Sequence, residues 1–186
     1  MSNNLHKEYS VLQIALNLTA ACFISGAIIA GTYLITAPVA AEKAVMMKND
    51  TMKELVKDAQ SFEPIKGKDD WYAAEKNGET IAYVVPAESK GYGGTIKMLV
   101  SVTPKGEIID YDILAHNETP GLGDNAGKEP FKSQFKGKTS EDLVVVKEPS
   151  KKNNIQAMTG ATISSRAVTK GIREAVERVE QYEEGK

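Results

Sequence analysis

The chain has 186 residues, 41% of them hydrophobic, with 23 Lys and Arg against 25 Asp and Glu and a formal net charge of −2. Balanced charge and the lack of a basic groove with interleaved aromatics argue against nucleic acid as a partner. With one cysteine (Cys22) and two distant histidines (His6 and His116), no intrachain disulfide or thiolate cluster can form and a metal centre is disfavoured, so any redox chemistry requires an organic cofactor.

Residues 1–10 form a short N-terminal segment. Residues 11–36 follow as an apolar run with few interruptions (Gln13, Asn17, Ser25) and no charge. The run is long enough to cross a bilayer core of about 30 Å with some tilt. Gly26 with Ala30 and Ala27 with Gly31 are small-xxx-small pairs, readable either as a helix-packing face or as lipid-facing filler. Val39-Ala40-Ala41 imitates a signal-peptidase site and Thr19-Ala20-Ala21-Cys22 a lipoprotein box. The run is long for a secretory signal, however, and stays apolar well past Cys22, so an uncleaved single-span anchor is expected. The charges around it (Lys7 and Glu8 before, Lys43 and Lys48 after) do not decide its orientation. Pro38 is expected to close the span. Residues 37–62 read as a helical stalk, with Ala41, Val45, Met52, Leu55, Val56 and Ala59 on one face and a candidate break at Asn49-Asp50.

Residues 63–186 read as one domain. Asn77-Gly78 is a strong tight-turn signal and predicts a hairpin over 71–85, whose second arm is the strand-prone Thr80-Ile81-Ala82-Tyr83-Val84-Val85. Strands are expected over 95–102 and 107–114, joined by a turn at Pro104-Lys105-Gly106, with another short strand over 142–146. Ala167, Val168, Ile172, Ala175, Val176 and Val179 form the apolar stripe of a C-terminal amphipathic helix starting near Ser164. The fold class is α+β: an antiparallel sheet packed by helices, behind one transmembrane helix.

Three glycine-rich loops are candidate ligand contacts: Gly91-Tyr92-Gly93-Gly94, Glu118-Thr119-Pro120-Gly121-Leu122-Gly123, and Thr159-Gly160-Ala161-Thr162. Glycine lets backbone approach a flat or anionic ligand, Tyr92 can stack on a ring, and main-chain amides of the second loop can bond a heterocycle's edge. None of the three matches a Walker A or dinucleotide fingerprint, and each by itself is also readable as a solvent turn. In the third loop, two small residues leave the Thr162 hydroxyl uncrowded just before a helix. The free N–H groups and dipole there suit a phosphate. The alternative is that Thr159 and Thr162 are turn and cap residues. His116-Asn117-Glu118 reads either as acid/base machinery or as a structural strand end.

Gly91-Tyr92-Gly93-Gly94, His116-Asn117-Glu118-Thr119-Pro120-Gly121-Leu122-Gly123-Asp124 and Thr159-Gly160-Ala161-Thr162-Ile163-Ser164-Ser165-Arg166-Ala167-Val168, in that order, resemble the FMN-binding domain proteins of respiratory complexes. That family includes the G subunits of Rnf electron-transport complexes, with the C subunit of the sodium-translocating NADH:quinone reductase as a cousin. The resemblance implies FMN joined through its phosphate to the second Thr of the S/T-G-A-T motif, here Thr162, by a separate flavin transferase. It also implies contacts from Thr159, Gly160, Ala161, Ser164, Glu118, Thr119, Gly121, Leu122, Gly123, Tyr92 and Gly93. The domain is expected outside the cytoplasm, relaying electrons between other membrane and electron-transfer subunits of an assembly that couples ferredoxin and NAD to sodium or proton movement. One departure stands out. The motif commonly has Asp three residues before the tetrad, where this chain has Gln156, which carries no charge. Two other readings stand beside this one: a membrane-anchored flavin reductase acting alone, and a non-redox anchored scaffold.

Overall fold

The computed structural model describes residues 10–147 and 154–186, and these divide into two compact units, Met1–Met46 and Met47–Lys186. The first unit is helical. From Val11 onward its described residues belong to α1, Val11–Leu55, whose apolar side chains stand exposed along the span and whose length and composition suffice to cross a membrane. Thr19, Thr32 and Thr36 return their hydroxyls to carbonyls one turn earlier, so these polar groups are satisfied within the helix. The helix runs on without interruption through Pro38. Proline removes one backbone hydrogen bond, and the alanine-rich sequence around it is helix-forming enough to continue.

The second unit contains the end of α1, which also passes Asn49-Asp50 without the expected break. Thr51, Met52 and Leu55 are buried just beyond, and this packing overrides the weak local propensity. The unit is built on a five-stranded antiparallel meander: β1 Ser61–Pro64, β2 Tyr72–Lys76, β3 Glu79–Lys90, β4 Thr95–Val102 and β5 Ile108–Ala115, each paired with its neighbour in sequence. The β2–β3 turn is the one that Asn77-Gly78 predicts, with φ of 55° and 82° at its two residues. Two features go beyond the sequence expectations. β1 is a four-residue edge strand ending in proline. β3 continues through Pro86 to Lys90. The proline fits because β2 pairs with β3 only as far as Val84, so its missing N–H faces no partner there.

Side chains alternate across the sheet. Tyr83, Val85, Ile96, Met98, Val100 and Tyr111 face a core closed by α2, Thr162–Glu184. The stripe from Ala167 to Val179 lies buried on this face as expected. Phe131, Phe135 and Leu143, from short 3-10 turns after β5, complete it. On the opposite face Ala74, Ala82, Val84 and Leu99 pack with Met52, Leu55 and Val56. The expected strand over 142–146 is shorter. Thr139 and Asp142 exchange side-chain-to-backbone bonds that draw 140–142 into a 3-10 turn. β6 Val145–Val146 and β7 Ile155–Gln156 remain as a small parallel pair.

Ile172 is fully buried between α2 and the sheet, so Ile172→Ala is expected to cost about 2–5 kcal/mol. Thermal melting in detergent reads this loss directly.

Candidate functional site

The three glycine-rich loops are local structures of different kinds. The first is the β3–β4 connection, closed by Gly91 N–H donating to Gly94 O at 2.7 Å, with Tyr92 at its tip. The second is a turn in which Leu122 N–H donates to Thr119 O at 3.1 Å. Pro120 and Gly121 (φ 76°) occupy its centre, the residues a type II turn selects. The third is a turn of the same kind over 158–161, with Gly160 at φ 75° and Ala161 N–H donating to Met158 O at 3.1 Å. Ser165 fastens this turn to the helix. Its hydroxyl accepts from Met158 N–H at 2.9 Å and donates to Ala161 O at 2.9 Å.

These loops converge on a cleft of about 590 Å³, within the range of small-molecule sites. Tyr92 comes from the first loop, and Glu118, Thr119, Leu122 and Gly123 from the second. Gly160, Ala161, Thr162 and Ser164 come from the third and from the first turn of α2. Gly93, Gly121 and Thr159 support the loops without lining the cleft. Ile163, which sequence reasoning passes over, also lines it. Its signal is available in the sequence: an apolar residue at the head of α2 that falls off the buried stripe. The rim is apolar and open, with Tyr92 71%, Ile163 56% and Leu122 44% exposed, and Leu122 packing over Gly160. A larger hollow of about 660 Å³, beside Arg178, Glu174, Lys97 and Glu88, draws on none of these loops.

α2 begins at Thr162, two residues before the expected start, so Thr162 is the first helical residue and not the last of the loop. Its cap position is Ala161, which offers no side-chain acceptor. Among the described residues, the N–H groups of Thr162, Ile163 and Ser164 have no backbone acceptor, and the half-buried Thr162 hydroxyl makes no hydrogen bond. Uncapped first-turn donors and the positive end of the helix dipole suit an anion. The residues at the head of α2 therefore fit a phosphate ester, and the apolar rim fits a flat ring.

Other candidates take structural places. The His116 Nδ1 accepts from Glu118 N–H at 3.1 Å, which orders the strand end. Asp124 is held below the usual carboxylate range by its hydrogen bond from Lys128, at 2.8 Å. Gln156 lies in β7. Its backbone is clasped by the Gln134 side chain, at 2.7 Å on the N–H and 3.2 Å on the carbonyl, while its own side chain is exposed. Arg166 is exposed and outside the cleft lining.

Residues 91–177 match the FMN-binding domain family, a span that begins at the first loop and ends within α2. The chain is 61% identical over 179 residues to the G subunit of the proton-translocating ferredoxin:NAD(+) oxidoreductase complex of Clostridium ljungdahlii, covering 96% of this chain and 97% of that protein. It is 32% identical to the G subunit of the Na(+)-translocating ferredoxin:NAD(+) oxidoreductase complex of Acetobacterium woodii, covering 90% of each. Among solved structures, the C subunit of the Na(+)-translocating NADH-quinone reductase of Parabacteroides distasonis aligns with TM-score 0.50 and 26% identity, over 59% of this chain and 60% of that one. NqrC of Shewanella oneidensis aligns with TM-score 0.53 over 70% of this chain and 74% of that one; at 21% identity it speaks to the fold alone. An apolar N-terminal helix, an antiparallel sheet backed by α2 and near-full-length similarity to these relatives together mean that the chain belongs to the family of G subunits of Rnf-type, ion-translocating ferredoxin:NAD(+) oxidoreductase complexes, with an FMN-binding domain.

Proposed function

We propose that this chain is the membrane-anchored electron-carrier subunit of such a complex, with FMN held by a phosphoester on Thr162 Oγ1. The observation that carries the reading is the Thr162 hydroxyl itself. It has no hydrogen-bond partner among the described residues, and Thr162 stands at the first position of an uncapped helix and lines a ring-sized apolar cleft. A separate flavin transferase makes the ester by transferring FMN from a phosphoanhydride flavin donor: the Thr162 Oγ1–P bond forms as the anhydride P–O bond breaks and the donor's other phosphate leaves, so the modified chain is heavier by FMN less water. Bound FMN supplies reversible electron uptake and release.

The protein's own residues do the rest. The first-turn N–H groups and the dipole of α2 offset the phosphodiester charge by about 0.3–1 kcal/mol. Leu122, Ile163 and Tyr92 offer apolar surface to the ring. Because the rim is open, partner subunits can approach closely, as a relay requires, and no general base is needed. A covalent tether also makes cofactor loss a bond-breaking event. The α1 span anchors the domain to the membrane, and resemblance to the family supports an extracytoplasmic position for it.

Protein made in cells containing the transferase should stay yellow after denaturation. Within the assembled complex its flavin absorbance should bleach with reduced ferredoxin and recover with NAD+. A colourless denatured chain contradicts the ester, and a flavin that never bleaches in the complex contradicts the relay.

A further inference from the structure

We propose that Glu118 is a positioning residue for the flavin: its buried carboxylate locks two of the cleft loops to the first turn of α2 and places a negative charge in the cleft wall that lowers the flavin's midpoint potential. The inference rests on the flavin reading above.

Glu118 is only 5% exposed. Its Oε1 accepts from Gly93 N–H at 2.9 Å, and its Oε2 accepts from the Ser164 hydroxyl. One side chain thus ties the second loop to the β3–β4 connection, 25 residues away, and to the first turn of α2, 46 residues away. Neighbouring glycines are arranged around this carboxylate. A Cβ on Gly91 would lie 2.3 Å from Oε1, and one on Gly123 would lie 2.6 Å from both Oε2 and Ser164 Oγ. The sequence reading gives these glycines to the ligand, whereas the structure surrounds Glu118 with them.

A buried carboxylate is costly to desolvate and persists only where its lone pairs are satisfied. The two donors and the nearby helix N-terminus meet that requirement. Linking loops does not itself call for charge, because glutamine can accept from Gly93 N–H and donate to Ser164 Oγ. Charge matters for the electron carrier. Glu118 and Thr162 line the same cleft, where the partly buried setting strengthens electrostatics. Electron uptake adds negative charge to the ring, and a fixed carboxylate in the same wall opposes it.

Two variants of the full chain, made in transferase-containing cells, separate shape from charge. Glu118→Gln keeps both links and is expected to load flavin like the wild type, but to titrate at a more positive midpoint potential. Glu118→Ala removes both links and is expected to lower loading several-fold while α2 and the sheet remain, as read by circular dichroism. If the alanine variant fails to fold, the potential of the glutamine variant decides. An unchanged potential in Glu118→Gln, poor loading of that variant, or full loading of a folded Glu118→Ala each overturns the proposal. A wild-type chain without flavin overturns the flavin reading and this inference with it.

Discussion

Thr162→Ala is expected to yield a chain that folds like the wild type and carries no flavin through denaturation. The hydroxyl has no hydrogen-bond partner among the described residues, so deleting it leaves no buried group unsatisfied. Alanine is also a better helix former than threonine at the start of α2. Stability should therefore change by less than about 1 kcal/mol, because the half-buried side chain loses only a methyl contact and an unpaired hydroxyl. Covalent loading, in contrast, should fall to zero, because no other residue in the cleft lies at the same helical position. Ferredoxin-to-NAD+ electron flow in membranes should fall to the level seen without this subunit. In-gel flavin fluorescence, melting and membrane turnover, measured on one preparation, separate loss of the ester from loss of the fold.

Gly93→Ala is expected to damage the cleft by a different route. A Cβ there would sit 1.9 Å from the backbone oxygen of Asn117 and 2.7 Å from its carbonyl carbon, closer than any side chain tolerates. The obstacle is backbone, so no rotamer change relieves it. Either the β3–β4 connection or the strand end after β5 has to move, and both carry the Gly93 N–H to Glu118 bond. Overpacking costs about 1–3 kcal/mol, and a clash against backbone belongs at the upper end. At roughly 3 °C per kcal/mol for a unit of this size, melting should drop by about 9 °C. Flavin loading should fall with it. Gly67→Ala is a control for glycine loss in general: it has open space around its Cβ position and is not among the cleft-lining residues, although its φ of 78° disfavours alanine locally. It should leave loading unchanged.

Much of this architecture is legible in the sequence because local chemistry and tertiary structure agree. Asn77-Gly78 specifies a tight hairpin turn, and that turn is present. The apolar stripe from Ala167 to Val179 has helical spacing and is the buried face of α2. The three glycine loops converge on one cleft, as their common reading requires. What escapes is set by long-range packing. Nothing local marks Ser61–Pro64 as a strand, because it is strand only through pairing with β2. Pro86 argues against a strand until the register shows its N–H facing no partner. Asn49-Asp50 suggests a break until Met52 and Leu55 are seen packed against the sheet. Glu118 lies in a loop assigned to ligand contact, and its bond to Ser164 spans 46 residues, a separation invisible to any local pattern.

An ester between Thr162 Oγ1 and the flavin phosphate has a direct chemical signature. The full chain, isolated from cells that contain their flavin transferase, can be digested and the peptide that holds residues 154–166 sequenced by mass spectrometry. This peptide should be heavier by the mass of FMN less water, and fragmentation should place the increment on Thr162. Recovery of the peptide without the increment, or with it on Thr159, Ser164 or Ser165, would rule out an ester on Thr162.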